Sequence, residues 1–321
     1  MRVLYDTTTV PPLDRYDYYR AGAACELAPV EVDGRAPGRL SARMSVGRVG
    51  DFDLEELTWA ADAAIVTRRT ERLIRVGSQE SYRLVVAVAG EVQLEQVDSR
   101  VRIRPGDIGL YHLSRPWRAR HPAEQSRIQV VMLTFPRAML PVEERALGPL
   151  LGTLMPRRLP GRNLIAQLLV GRASSGEHAD CADALSDGVR GLIRDWLGLP
   201  GGMTPHTRRA LHRARIRDVI HTRLHDPGLD PYGIARAAAI SPRYLHELYK
   251  DTGSTPMRLV KRMRLQECRR RLADPAFGSL AIREIAAACG YRRPDQFARD
   301  FRQEFGVAPT QVRDDLSGWR C

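Results

Sequence analysis

Between Ser41 and Phe135 the apolar residues recur with period two, in segments of four to seven residues divided by turn clusters. The run YRLVVAVAGEVQLEQVDSRVRIRPGDIGLYHLSRPWRARHP breaks at AGE, DSR, RPGD and SRP, and SRIQVVMLTFPR adds a strand that Pro136 stops. Several short strands at hairpin spacing predict an antiparallel sandwich or barrel. In RPGD, Gly106 is expected to supply a positive φ and Asp107 to bond the backbone. The first forty residues, rich in Pro and Gly, read as a lead-in strand and loop. From Arg137 to Leu199 the period lengthens. GRNLIAQLLVGR and ADALSDGVRGLIRDWLGL place apolar residues three and four apart, as at Leu185, Val189, Leu192, Ile193, Trp196 and Leu197. That spacing predicts two amphipathic helices joined by a flexible ASSGEHAD. PGGMTP, from Pro200 to Pro205, then breaks the chain as an interdomain linker, and the remainder reads as helices with short turns.

Within that remainder one grammar occurs twice: IARAAAISPRYLHELYKDTG, Ile234 to Gly253, and IAAACGYRRPDQFARDFRQEFG, Ile285 to Gly306. In the first copy Asp230 caps a helix begun by Pro231, with Ile234, Ala235, Ala238 and Ala239 on its buried side. Ser241 caps a second helix begun by Pro242. Leu245, Leu248 and Tyr249 are its apolar side, Arg243, His246, Glu247 and Lys250 its outer face, and Gly253 its stop. In the second copy Ile282, Ile285, Ala286 and Cys289 build the first helix. Phe297, Phe301 and Phe305 anchor the next, which turns Asp295, Gln296 and Arg299 outward. Helix, tight turn, helix with a polar outer face is a shape that enters a major groove. The two units span about 229–253 and 282–306. Between them a helix of roughly 18 residues from Pro256, about 27 Å long, would hold two such helices about one duplex turn (~34 Å) apart.

Charge supports a polyanionic partner. The 321 residues carry a net +12 with pI near 10, and 43% of them are hydrophobic, enough for about two domains with real cores. Residues 1–204 net only +2, whereas 205–321 net +10, so the basic excess sits with the repeat. The five cysteines, Cys25, Cys181, Cys268, Cys289 and Cys321, show no CxxC spacing, which argues against a disulfide framework or zinc site and for a reduced compartment. Cys268 and Cys289 fall at apolar helix positions. No stretch approaches a membrane span, and MRVLYDTTTVPPLDRYDYYR is too polar for a signal sequence. A cytoplasmic protein with no membrane partner is expected.

The segment from SPRYL to APTQVR resembles the DNA-binding domain of AraC/XylS-type transcriptional regulators. The likeness rests on SPRYL, on the linker helix RL…CRRRL, and on a terminal signature of Gly290-Tyr291, Phe297, Arg299, Phe301, Phe305-Gly306, Pro309 and Arg313. The resemblance covers about 100 residues. It implies base reading by Arg243, His246 and Glu247 in the first unit and by Asp295, Gln296 and Arg299 in the second. Arg forks onto guanine, Gln pairs with adenine and a carboxylate accepts from cytosine N4; Glu247 and Asp295 have the alternative of orienting neighbouring arginines. Lys250, Arg292 and Arg293 are the phosphate candidates.

The run from Tyr82 to Trp117, with FPR after the next strand, is similar to the cupin-like ligand-binding domain found in a subgroup of these regulators. His112 departs from that subgroup, which usually carries Asp there. Tyr82, Tyr111, His112, Arg115 and Trp117 are the candidate ligand residues, although core packing accounts equally well for Tyr111 and Trp117. A cupin-type metalloenzyme is the alternative. Against it, His112 and His121 stand nine apart with no HxH and no clear carboxylate ligand. His112 is therefore expected to line a pocket or hydrogen-bond, and His121 to be a surface residue at a strand end. No metal, cofactor or catalytic residue is assigned.

The fold class expected is α+β: a cupin-like β-barrel sensor with its lead-in (1–136), a helical dimerisation or linker region (137–199), and an all-α domain with two helix-turn-helix units (206–316). The function expected is a ligand-responsive, non-enzymatic transcription factor. Its partners would be double-stranded DNA, a small-molecule effector, RNA polymerase and a second copy of the chain. Residues 160–199 are the dimerisation candidates, because an isolated amphipathic helix pair must cover its apolar stripe. A nucleoid-type binder without a sensor role is a third reading.

Overall fold

A computed structural model describes residues 1–25, 28–34, 39–76, 80–122, 127–140, 142–175 and 182–317. Cys181, Cys321 and the GEHAD part of the expected flexible connection lie outside them. The chain divides into two compact units, Met1–Ala214 and Arg215–Cys321. Among the described residues no helix is long and apolar enough to cross a membrane.

The strands of the first unit are β1 (Arg2–Asp6), β2 (Glu31–Asp33), β3 (Leu40–Val49), β4 (Phe52–Ala61), β5 (Ile65–Arg69), β6 (Ser81–Ala89), β7 (Val92–Gln96), β8 (Ser99–Ile103), β9 (Ile108–His112), β10 (Trp117–His121), β11 (Ile128–Pro136) and β12 (Thr153–Leu154). They form two antiparallel sheets, ordered β1-β3-β4-β11-β6-β9-β12 and β2-β5-β10-β7-β8. Apolar residues of both sheets share one core. No strand pairing joins the sheets among the described residues, so the cupin-like architecture is an open sandwich rather than a closed barrel.

Helices in this unit are α1 (Arg15–Ala23), α2 (Glu71–Val76), α3 (Glu144–Leu147), α4 (Arg162–Ser175) and α5 (Ala182–Trp196). α1 stands where only strand and loop were expected. Its spacing explains it: Tyr19 and Ala23, four apart, are buried in the sandwich core, and the Tyr19 ring meets Tyr5 edge-on at 5.9 Å. α4 and α5 arise where the three-and-four spacing placed them. Leu164, Ile165, Leu168 and Leu169 with Leu185, Val189, Leu192 and Ile193 form a second core against the outer face of the larger sheet. The apolar stripe of 160–199 is thus covered within the chain, which removes the reason for expecting it at a dimer interface.

Helix α6 (Pro205–Thr222) spans the division between the units. The second unit continues with α7 (Pro231–Ala237), α8 (Pro242–Lys250), α9 (Pro256–Leu272), α10 (Ile282–Ala288), α11 (Pro294–Phe305) and α12 (Pro309–Ser317). All but α10 open on proline, whose fixed φ and missing N–H suit the first helical turn. Asp230, Ser241 and Thr255 accept from the backbone N–H groups of Gly233, Tyr244 and Arg258 at 2.7, 3.1 and 3.1 Å. At α10 the Ala281 N–H donates to Glu284 at 2.7 Å instead. Ala239 is exposed at φ 55, not on the buried side expected of it: it makes the tight turn between α7 and α8. α9, 17 residues and about 25 Å long, packs on α8, α10, α11 and α12.

The two helix-turn-helix copies meet at the Leu224 carbonyl. Arg264 of α9 donates to the Leu224 carbonyl at 3.1 Å and to that of Asp226, closing the chain after α6. Gly290, at φ 85 in the turn of the second copy, lies against the same Leu224 carbonyl, and a Cβ there would stand 2.3 Å from its oxygen. Gly290→Ala is expected to destabilise this unit by about 3 kcal/mol or more, through positive φ and clash together. Gly253→Ala, at φ 66 with open space around it, is expected to cost only about 1 kcal/mol. Urea unfolding of the full chain checks this; equal midpoint shifts for the two variants would refute the tie.

Candidate nucleic-acid interface and interior cavity

α8 buries Leu245, Leu248 and Tyr249 while Arg243, His246, Glu247 and Lys250 stay exposed. α11 repeats the division: Phe297 and Phe301 are buried, and Asp295, Gln296 and Arg299 are exposed. The three phenylalanines stack edge-on in succession, Phe297–Phe301 at 5.4 Å and Phe301–Phe305 at 4.7 Å. Arg269 of α9 lies 5.0 Å over Phe305. Burial of each such ring contributes about 1.5–3 kcal/mol, so the apolar side fixes which face is offered to solvent.

The outer face of α11 carries a connected polar set. Asp295 accepts from Arg293 at 2.8 Å and from Arg299 at 3.3 Å, and the Arg293 hydrogen bond is the main reason its carboxyl titrates below the usual range. Arg299 also donates to Gln296 at 3.1 Å, and Gln296 donates to the buried Asp300 at 2.9 Å, which Lys261 of α9 meets at 2.7 Å. Asp295 thus accepts from two arginines in this structure, a geometry compatible with the alternative role considered for it. Arg292 is exposed. Cys268 and Cys289 are buried in the core under α11 as small apolar groups.

The candidate ligand residues do not all line one cavity. In the sandwich, successive side chains of a strand face opposite ways. Tyr111 and Trp117 face inward and wall a cavity of about 60 Å³ between the sheets, with Arg83, His121, Tyr19 and Met44 among the other lining residues. Tyr82 and His112 face the other side of the larger sheet, toward the helices, with ring centroids 4.6 Å apart. There His112 Nδ1 accepts from the Ser114 N–H at 3.0 Å. Arg115 lies outside the cavity and pairs with Glu144 at 2.8 Å. The two histidines that a cupin metal would need thus sit on different sheets, His121 facing the core between them and His112 facing the helices.

His121 is a correction: it is buried, not a surface residue, because its position shares the inward parity of Trp117 and Ala119 while Arg118 and Arg120 face out. It packs against Trp59 at 5.3 Å. Sequence reading also missed the charged residues of the interior. Arg83 and Glu55 form a buried ion pair at 2.6 Å, and Arg83 donates to Thr134 at 2.9 Å. Burial pushes the Glu55 carboxyl up against the opposing pull of Arg83. Arg69 is buried at the end of β5. Gln96 of the smaller sheet both accepts from the His112 N–H and donates to its carbonyl, at 2.8 and 2.7 Å, clamping the sheets. Strict parity was the signal that could have found them: Arg83 alternates in step with Val85 and Ala87, and Arg69 with Ile65 and Thr67.

Two family profiles match the chain. One described as a helix-turn-helix domain covers residues 234–315, and one described as an AraC-binding-like domain covers residues 19–224. The transcriptional activator NphR of Rhodococcus sp is 27% identical over 271 residues, 82% of this chain and 78% of its own length. The transcriptional activator RhaS of Pectobacterium atrosepticum is 39% identical over 82 residues, 25% of this chain and 28% of its own. The solved AraC-like transcriptional activator CuxR superposes with a TM-score of 0.50 at 18% identity, over 82% of this chain and 93% of that one, a likeness of fold.

Burial holds His121 near pKa 4, against the ordinary 6.5. Below pH 6.5 the unfolded chain takes up a proton that the folded chain refuses, so this contribution is complete above pH 6.5 and lost as pH falls toward 4. The loss is on the order of 3 kcal/mol. The gap in unfolding free energy between the native chain and His121→Gln should therefore narrow by about that amount from pH 7.5 to 4; a constant gap would contradict the buried, neutral imidazole.

Proposed function

The chain belongs to the AraC-type family of transcriptional regulators, and from that premise we propose that α8 and α11 enter successive major-groove segments of double-stranded DNA. The observation that carries the reading is the division of both helices into an apolar side locked in a core and an exposed polar side, within the strongly basic part of the chain. Arg243, His246 and Glu247 read bases from the first helix, and Gln296 and Arg299 from the second. Asp295 either accepts from cytosine or keeps Arg299 aimed. Lys250, Arg292 and Arg293 hold phosphates, which positions the reading helices without specifying sequence.

The Met1–Ala214 unit serves in this proposal as the sensor, taking a small-molecule effector at the sandwich interior and biasing the DNA-bound state. It acts by binding rather than by turnover, in keeping with relatives that are transcriptional activators. RNA polymerase and a second copy of the chain are the further partners. A homodimer through 160–199 would use the outward faces of α4 and α5, since their apolar sides are covered, and the protein works in the cytoplasm.

Binding to DNA selected from a random pool tests the reading. Arg243→Ala and Arg299→Ala are each expected to lose about 1–3 kcal/mol of specific affinity and to relax preference at separate positions of the site. Lys250→Ala should weaken all sequences evenly and lower the slope of log affinity against log salt by about one. Unchanged affinity and preference in both arginine variants would reject the docking.

A further inference from the structure

Two thiols meet in the core of the second helix-turn-helix copy. Cys268 of α9 and Cys289, the residue that closes α10, are 0% and 1% exposed and share one cluster with Leu265, Leu272, Ile285, Phe297 and Phe301. They are hydrogen-bonded to each other, so their sulfurs face one another where α9 and α10 pack. Apolar packing accounts for a small side chain at each place; it does not require two sulfurs to be paired there. The mutual hydrogen bond and burial push the Cys268 thiol up, and the same bond holds the Cys289 thiol below its ordinary range. Arg271 favours the thiolate of both and Glu267 opposes it. One member of the pair is thereby prepared as a nucleophile, with the other beside it to resolve the product.

The pair sits where a new covalent bond would be felt. Cys289 is followed by Gly290, whose positive φ and close approach to the Leu224 carbonyl fix the turn. Tyr291 comes next, edge-on to Phe297 at 5.2 Å, and Phe297 is buried on the apolar side of α11. Disulfide sulfurs stand about 2 Å apart, well inside hydrogen-bonding distance, so a bond between these two draws the turn toward α9. The Gly290 backbone has no room to absorb that shift, because it already lies against Leu224. The displacement passes through Tyr291 and Phe297 to the face that carries Gln296 and Arg299. Access to the sulfurs runs through α10, which has seven residues and no side-chain cap at Ala281. A helix that short opens locally at small cost, and a neutral oxidant of near-water size then reaches the thiols.

We propose that Cys268 and Cys289 are an oxidisable dithiol, and that the disulfide a peroxide forms between them releases the second reading helix from DNA. The Cys289 thiolate attacks one oxygen of hydrogen peroxide; the O–O bond breaks, a sulfenic acid forms, and the departing hydroxide takes up a proton to leave as water. The Cys268 sulfur then attacks the sulfenic sulfur. The S–S bond forms, the S–O bond breaks, and a second water leaves with the Cys268 proton. Two thiols have then lost two electrons and two protons, and one peroxide has become two waters. An external dithiol reverses the change. The disulfide stands independently of the DNA docking; only its consequence rests on that reading.

The test uses the full chain carrying Cys25→Ser, Cys181→Ser and Cys321→Ser, which leaves the pair as its only cysteines. After hydrogen peroxide, alkylation and digestion, mass spectrometry is expected to find Cys268 and Cys289 in one linked peptide pair, lighter by two hydrogens and lost on treatment with dithiothreitol. Affinity for DNA selected by the reduced chain should fall roughly ten- to a hundredfold on oxidation and return with dithiothreitol. Cys268→Ala and Cys289→Ala, each checked for folding by thermal unfolding, should hold their affinity under the same peroxide. The linked peptide needs neither variant, so it decides the dithiol even where one of them does not fold. Absence of that peptide overturns the proposal, as does a linked chain that binds DNA unchanged or a loss of affinity that persists in Cys289→Ala. A reduced chain that selects no DNA sequence would instead reject the docking, while the linked peptide would still establish the disulfide.

Discussion

Double-sided burial of the seven-stranded sheet governs the first unit. Along β11, Ile128, Val130 and Met132 enter the core between the sheets, while Val131, Leu133 and Phe135 enter the core beneath α4 and α5. A strand buried on both faces must be apolar throughout, as IQVVMLTFP nearly is, and the one inward hydroxyl in it, Thr134, is claimed by Arg83. The same demand explains why α4 and α5 belong to the sandwich unit. Without them the outer face of β4, β6, β9 and β11 would present a continuous apolar patch far larger than soluble surfaces tolerate.

In the second unit the corresponding constraint is the rod of α9. The helix contributes Val260 to the core of the first copy, and Leu265, Cys268 and Leu272 to that of the second. Each copy is too short to bury an adequate core alone: α7 and α10 have only seven residues each. Sharing α9 lets both close, and Arg264 with Gly290 sets one copy against the chain entering the other. The spacing of the outer faces of α8 and α11 is then a property of packing rather than of a flexible linker.

Much of this was legible in the amino-acid sequence. Caps at Asp230 and Ser241, the proline starts, the phenylalanine side of α11 and the switch of period near Arg137 rest on local chemistry, which short sequence windows contain. What escaped depends on partners far apart in sequence. Arg83 meets Glu55 across 28 residues and Gln96 meets His112 across 16, and no local pattern states which inward polar residues will find each other. Tyr82 and His112 were grouped with Tyr111 and Trp117 by nearness in sequence, but alternation sends neighbours to opposite faces. Even so, the parity that separates them was present in the sequence and would have moved His121, Arg69 and Arg83 inward had it been applied to polar positions as strictly as to apolar ones. α1 was overlooked for a different reason: two residues, Tyr19 and Ala23, hold it, and so small an apolar side is weak beside the surrounding Pro and Gly.

The polar set on α11 distinguishes its members in a way that bears on DNA reading. Arg299 and Asp295 are 68% and 54% exposed in their side chains, and an ion pair so open to solvent contributes roughly 0–1 kcal/mol. Redirecting Arg299 from Asp295 to a guanine edge therefore costs little, and the bidentate pair it forms there is worth about 1–3 kcal/mol of discrimination. Gln296 is differently placed. Its acceptor is Asp300, whose side chain is only 10% exposed and which Lys261 also holds, so its amide is pre-set by a partner anchored on α9. Under the proposed docking Arg299 is the adaptable reader of this helix and Gln296 the fixed one. The rigidity of the α9 rod thus reaches the groove through Lys261 and Asp300 rather than through the exposed pair.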